Sequence, residues 1–453
     1  MNKILALLLA ACISVPAFAQ SSVSGGGTKP TPLSPSYVMP AGKIYVDTSK
    51  LPGHRYGFST GRLAPSGCVT NGYSATDSSH WPTTTGATVA LCNSGGAINP
   101  TVGSGGGAFR TFCALSHVAF DDPIVWPNES GRTHLHAFYG NTFTSAGADP
   151  ALFHTFGEST CMGGTLNRTG YWTPVFIYHC PTSIGGCDTA RNGEPNVARR
   201  FNAYYKTNDE THGKLPQWPP EGLRMIAGDP NNTNPANLGG HTYFECWVNG
   251  TTPGNPFVNT TNSYRFDHLP TSAEGIAVST YGGYGSLGCT SILMEVVLPQ
   301  CMSTAMDLDD PVTHKAHMAY ASDSGPSGPA GMEGCTNPLF QGRQIPNISV
   351  LVHTPVLNAD LDHTRLSSDW SRAQAIADGL VCATSAKNYC AGQSAHADWV
   401  NGWDQTTVIN GFGEKIADLI IRECYYVANT EFRSCSNGVL GDKDKNGVYW
   451  LMY

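Results

Sequence analysis

The chain has 453 residues, of which only 13% are charged, and a formal net charge of −8. That balance leaves no basic surface for nucleic acid. Its 51 glycines and 30 prolines point to a loop-rich β protein, not a helical one, and the length is enough to bury a large core.

Residues 1–19 read as a secretory signal: Lys3 supplies the positive start, ILALLLAA the apolar run, and Ala17-Phe18-Ala19 the small-residue cleavage site. The run is too short to span a bilayer, so no transmembrane segment is expected. Leu9-Ala10-Ala11-Cys12 also resembles a lipoprotein box, but cleavage there would leave an unusually short signal. The expectation is therefore a protein secreted to the periplasm or the exterior, in preference to an outer-membrane lipoprotein. Residues 20–40 are Ser-, Gly- and Pro-rich and read as a disordered linker. Residues 41–112 have few periodic runs and read as an irregular segment packed on the main domain, which spans 113–435 and leaves a tail at 436–453.

Fourteen of the fifteen cysteines lie beyond the signal: Cys68, Cys92, Cys113, Cys161, Cys180, Cys187, Cys246, Cys289, Cys301, Cys335, Cys382, Cys390, Cys424 and Cys435. An even number in an exported chain implies disulfides, with Cys180–Cys187 and Cys382–Cys390 the short-loop candidates. No C-x-x-C pair occurs, which argues against a thiolate zinc site.

Strands are predicted where β-branched and aromatic residues cluster: Tyr171 to His179 with Pro174 at a bulge or edge, Gly222 to Gly228, Ser291 to Pro299, and Ile348 to Leu357. Thr280 to Gly288 reads as a glycine-rich loop. Two helices are expected. One covers Ser368 to Val381, with Ser367 or Ser368 as N-cap. The other covers Phe412 to Cys424, where Ile416, Leu419, Ile420 and Cys424 recur at helical spacing. Together these predict a mainly β, jelly-roll or sandwich-like large domain with long disulfide-tied loops and a few short helices.

The chemistry-bearing residues gather in a few stretches. In His117 to Asn141, Asp121 and Asp122 precede Arg132 and a His134-Leu135-His136 pair. Alternate residues of an extended segment share a face, so His134 and His136 would offer two imidazoles to one metal ion or substrate. Asp307 to Tyr320 brings Asp307, Asp309, Asp310, His314 and His317. Ser394 to Asp404 brings His396 and Asp398, where the carboxylate would orient the imidazole, with Trp399, Asn401 and Trp403 beside them. Asp360 to Arg365, with His363, is equally a surface loop. Each stretch alone is also explained by local hydrogen bonding. There is no G-x-S-x-G elbow and no H-E-x-x-H.

These motifs, DDPIVWPNESGRTHLHAFYGN (121–141), GYWTPVFIYH (170–179), PEGLRMIAGDP (220–230), LPQCMSTAMDLDDPVTHKAHMAY (298–320) and SAHADWVNGWD (394–404), together resemble a family of secreted proteins classed as a domain of unknown function. Fungal members often carry a WSC or cellulose-binding module. The resemblance maps the family's recurring positions onto His134, His136, His314, His317, His396 and Asp398. Met302, Trp399 and the Cys335-to-Pro338 segment depart from its pattern. It implies an extracellular, polysaccharide-associated setting and no particular reaction.

The functional expectation is an exported carbohydrate-active enzyme working by hydrolysis or β-elimination at a His/Asp-rich site. His134, His136, His317, His396 and Asp398 would line it, with His396 as base and Asp121, Asp122 or Asp310 as acid. Arg132 or Arg224 would hold a sugar carboxylate, and Tyr171, Trp172, Trp399 and Trp403, with Asn401 nearby, would bind the sugar. A divalent metal on His134 and His136 is the cofactor considered. The alternative is a non-catalytic carbohydrate-binding or matrix protein.

Overall fold

Alternating apolar and polar residues become strands buried on one face or both, and here most are buried on both. The computed structural model describes residues 43–51, 108–161, 166–182, 185–198, 200–206, 216–232, 241–248, 265–321, 335, 339–340, 344–370, 391–407, 415–420 and 434–435. The strands in chain order are β1 (Ala108–Cys113), β2 (Leu115–Ala119), β3 (His136–Gly140), β4 (Gly170–Pro174), β5 (Phe176–Tyr178), β6 (Glu194–Asn196), β7 (Arg200–Lys206) and β8 (Arg224–Gly228). Then come β9 (Thr242–Trp247), β10 (Arg265–Phe266), β11 (Ser291–Val297), β12 (Cys301–Met302), β13 (Met318–Ala319), β14 (Asn347–Pro355), β15 (Thr364–Leu366), β16 (His396–Val400) and β17 (Ser434–Cys435).

They form a seven-stranded sheet, β10-β9-β11-β14-β7-β1-β17, and a five-stranded sheet, β2-β3-β4-β16-β8. Two small sheets, β15-β5-β6 and β12-β13, complete the fold. All pairings are antiparallel except β1 with β17. The fold is thus mainly β and sandwich-like, as composition predicted.

The core lies between the two large sheets. Tyr139 of β3 and Tyr171 of β4 pack on Phe201 of β7, with ring centroids 4.4 and 4.9 Å apart. Such pairs contribute about 0.5–1.5 kcal/mol each beyond their area. Tyr205 of β7 shares a 2.6 Å hydrogen bond with Tyr171, and its hydroxyl accepts from Trp403 Nε1 at 3.1 Å.

The run predicted as one strand from Tyr171 to His179 breaks at Val175. Its first part joins the five-stranded sheet and its second the small β15-β5-β6 sheet. Proline has no N–H for a ladder, and Pro174 ends β4. Ser367 and Ser368 sit in a turn, so the predicted N-cap does not form there, and residues 371–381 of that helix lie outside the described residues. Of the Phe412–Cys424 helix, Ile416–Ile420 is described and helical. A capped helix unforeseen in sequence, α1 (Ser272–Tyr281), runs into the start of the 280–288 segment expected as loop.

Four disulfides lie among the described residues: Cys113–Cys161, Cys180–Cys187, Cys246–Cys289 and Cys301–Cys335. The second is the short-loop pair expected from spacing. Cys68, Cys92, Cys382, Cys390 and Cys424, with the signal, the linker and the tail, lie outside the described residues.

Candidate functional site

Strand alternation sorts the five-stranded sheet into two faces. Ala137, Tyr139, Tyr171, Ala397 and Trp399 point into the core shared with the seven-stranded sheet. Phe138, Trp172, Ile226 and Val400 point the other way, into a second apolar cluster with Ile124 and Phe153 from the covering loops. His136, His396 and Asp398 belong by alternation to this outer face.

Register then brings β3 and β16 together across β4. His136 pairs with Pro174, and Asp398 pairs with Trp172. Continuing the second register by two residues sets His396 level with Pro174. Two strands flanking a third stand about 10 Å apart, so imidazoles reaching inward from each meet near the middle. His136 Nε2 and His396 Nε2 are 3.2 Å apart. His134, two residues ahead of His136 on the same extended run, places its Nε2 3.0 Å from His396 Nε2. Asp398 Oδ2 lies 3.7 Å from His396 Nε2. Asp122, His136 and Asp398 also present ligand atoms within 4.8 Å of one another. Three imidazoles and two carboxyls therefore meet in one buried cluster, of which His134 is the most exposed member at 8%.

The tautomers follow from the other ring nitrogens. His136 Nδ1–H donates to the Asp121 carbonyl at 2.9 Å, and His396 Nδ1–H donates to the Ser394 carbonyl at 2.7 Å. Carbonyls only accept, so both Nδ1 atoms carry protons and both neutral rings aim an Nε2 lone pair at the cluster centre. His134 Nδ1 contacts Thr133 Oγ1 at 3.2 Å. Burial holds the pKa of His134 and His136 well below the usual imidazole value, and it takes His396 down to about 3. Burial also raises Asp122 to about 6 and lifts Asp398 well above the carboxylate range, with Asp122 adding like charge beside it.

Several sequence-predicted residues fall elsewhere or do other work. His317 is not in the cluster: its Nε2–H donates to the Arg224 carbonyl at 2.7 Å, and Arg224 pairs with Val400, four residues along β8 from the Gly228 that pairs with His396. Asp398 does not orient His396; the Ser394 carbonyl does. Asp121 is spent on structure, accepting from Ser130 Oγ, Gly131 N and Ala146 N. Asp310 is half-buried and caps the Val312–Thr313 turn. His314 pairs with Asp309, and His363 ends a short 3-10 helix.

The proposed sugar platforms are also corrected. Tyr171, Trp172, Trp399 and Trp403 are fully buried and offer no face to a ligand. Trp399 neighbours Asp398 in sequence, yet alternation sends it to the opposite side of the sheet. Asn401 is buried, its Nδ2 donating to the carbonyls of Pro219 and Pro220. Arg132 is exposed, pairs with Glu129 and lies over Trp126. Arg224 is bound to Asp309. The surface pocket lined by Tyr178, Arg191, Glu194 and Asp360 shares no residue with the cluster.

Two lysines that the sequence reading passed over flank the site. Lys315 Nζ donates to the Gly228 carbonyl at 2.7 Å, and Lys43 Nζ donates to Ser368 and Pro230 carbonyls at 2.7 and 2.8 Å. Both act through charge on His396. Lys315 lies within a motif already singled out, whereas nothing periodic marks Lys43.

Fold and site together define a disulfide-braced, mainly β protein with a buried histidine–carboxyl centre on one sheet face. The chain belongs to the family described as domain of unknown function DUF1996, whose model matches residues 122–403 and so spans every member of the cluster. No curated protein and no solved structure matches the chain. The disulfides fit a secreted protein, and no helix among the described residues is long and apolar enough to cross a membrane.

Proposed function

We propose that this is an exported carbohydrate-active enzyme whose reaction, hydrolysis or β-elimination on a polysaccharide, takes place at the cluster of His134, His136, His396, Asp122 and Asp398. The observation that carries this reading is the meeting of five ionisable groups, drawn from β3, β16 and the loop that covers them, on a face that apolar side chains otherwise fill. A fold gains nothing by burying two carboxyls side by side unless they are used. The imidazoles hold the reacting oxygen and the carboxyls move the proton, which both hydrolysis and elimination require. The polysaccharide rests on the resemblance of the five motifs to secreted, polysaccharide-associated proteins. A non-catalytic matrix or carbohydrate-binding protein is the second reading. It is favoured by the burial of all four aromatic residues proposed as sugar platforms.

The test is a panel of neutral and uronic-acid polysaccharides incubated with the full chain. Hydrolysis releases new reducing ends alone, whereas elimination adds an unsaturated, ultraviolet-absorbing product. His396→Ala should abolish either product with an unchanged thermal melt, while His317→Ala should retain turnover. Binding of a glycan without product from the wild-type protein would favour the second reading.

A further inference from the structure

We propose that His134, His136 and His396 ligate one divalent first-row transition-metal ion through their Nε2 atoms, with Asp398 Oδ2 as a fourth donor. This rests on the same cluster as the functional reading above, and it replaces a loose set of polar groups with one defined centre.

His136 and His396 have each committed the Nδ1 proton to a backbone carbonyl, so their Nε2 lone pairs confront each other at 3.2 Å. His134 can supply one proton, through Nε2–H to His396 at 3.0 Å. That satisfies one contact and leaves the His136 lone pair directed at an atom that cannot donate to it. Asp398 Oδ2, buried and without a hydrogen-bond partner among the described residues, lies 3.7 Å from His396 Nε2. The His136 and His396 lone pairs thus face each other with no proton between them. A cation at the centre of the cluster satisfies both.

The groups behind the imidazoles fit as well. Histidines that bind metals characteristically give their other N–H to a carbonyl or carboxylate, which fixes ring orientation before the ion arrives. Asp121 and Ser394 carbonyls do this here, and Asp121 is itself locked by three donors.

Spacing and donor type narrow the ion. Nitrogens about 2.1 Å from one ion lie about 3.0 Å apart at octahedral angles and about 3.4 Å apart at tetrahedral ones. The observed 3.0 and 3.2 Å separations fall in that range. Calcium, with longer bonds and a demand for oxygen, does not suit three imidazoles, and without thiolate a soft ion is not selected. Zn(II), Fe(II), Co(II), Ni(II), Mn(II) and Cu(II) are the class that does. With Asp398 a ligand, Asp122 is the carboxylate left beside the centre for proton transfer.

The experiment needs no substrate, so its failure is distinct from failure to find the right glycan. The full chain, exported with its disulfides formed and purified without chelator, is analysed by plasma mass spectrometry. It is then stripped and titrated separately with zinc chloride and cobalt chloride. The expected result is close to one equivalent bound, with Co(II) visible bands of nitrogen and oxygen ligation. His136→Ala and His396→Ala should each weaken binding about 100-fold or more, and His314→Gln should not. Where an alanine variant fails to fold, nitrogen NMR of the wild-type histidines decides. Three rings should change at Nε2 on zinc addition, with Nδ1–H kept on His136 and His396. A folded wild type that takes up neither ion, or variants that bind as it does, overturns the proposal.

Discussion

Asp121 and Asp122 are neighbours with different duties, and the difference lies in their oxygens. Both oxygens of Asp121 accept from loop N–H and hydroxyl groups. Asp122 gives Oδ1 to the N–H groups of Ile124 and Val125 and remains close to His136 and Asp398. His179 presents the opposite condition. It is buried with neither ring nitrogen hydrogen-bonded among the described residues. Burial, helped by the charges of Arg365 and His363, takes its pKa down to about 3. An unfolded histidine titrates near 6.5, so below that pH the unfolded chain binds a proton that the native chain refuses. Above it both states are neutral and the residue adds no pH dependence. Between about pH 6.5 and about pH 3, stability therefore falls as pH falls, by up to about 1.4 kcal/mol per pH unit from this ring alone. The other buried histidines add to the total, so the readout is a difference. Urea unfolding of His179→Leu should show a shallower loss between about pH 6.5 and about pH 4.5 than the wild type. Equal slopes would show that this ring is not buried neutral.

At the scale of elements, the site depends on how closely β8 approaches β16. Gly228 has φ of +79°, and a Cβ there would lie 2.1 Å from the Ala395 carbonyl oxygen and 2.7 Å from His396 Cα. The obstacle is backbone, so the strands would have to part at the residue that carries the imidazole. Gly228→Ala should cost about 2–4 kcal/mol, combining left-handed strain with lost pairing, and should move the urea midpoint accordingly. A wild-type midpoint would show that the close approach is not needed. The strands themselves were readable in the sequence: β4, β8, β11 and β14 coincide with β-branched and aromatic runs, and the His-x-His and His-x-Asp spacings placed pairs of groups on one face. Which strands become neighbours was not readable, because β16 reaches β4 through contacts more than two hundred residues apart. Trp399 shows a related effect: it follows Asp398 directly in sequence, yet a strand sends adjacent residues to opposite faces. Helix α1 did leave a signal, Thr271 three residues before Glu274, whose reciprocal capping bonds form in the structure.

In the whole molecule, the centre is held by an arrangement in which the disulfides carry unequal weight. Cys113 ends β1 of the seven-stranded sheet, and Cys161 bridges to it from a segment whose Thr160 N–H donates to Gly140 at the end of β3. The loop they close spans a sequence separation of 48 and contains β2, β3, Asp122, His134 and His136. Cys180–Cys187 closes a separation of 7 beside the small sheet and encloses none of the cluster. A cross-link raises the free energy of the unfolded chain according to the loop it forbids from opening, about 4 kcal/mol for the longer and about 2 kcal/mol for the shorter. Replacing Cys113 and Cys161 together by serine should therefore lower stability about twice as much as replacing Cys180 and Cys187, as read from urea midpoints at constant slope. A reversed order would mean that native contacts around each bridge, not the freedom of the unfolded chain, set its worth. The segment carrying the histidines would then be held by its pairing with β2 and β4, the His136 bond to the Asp121 carbonyl and burial.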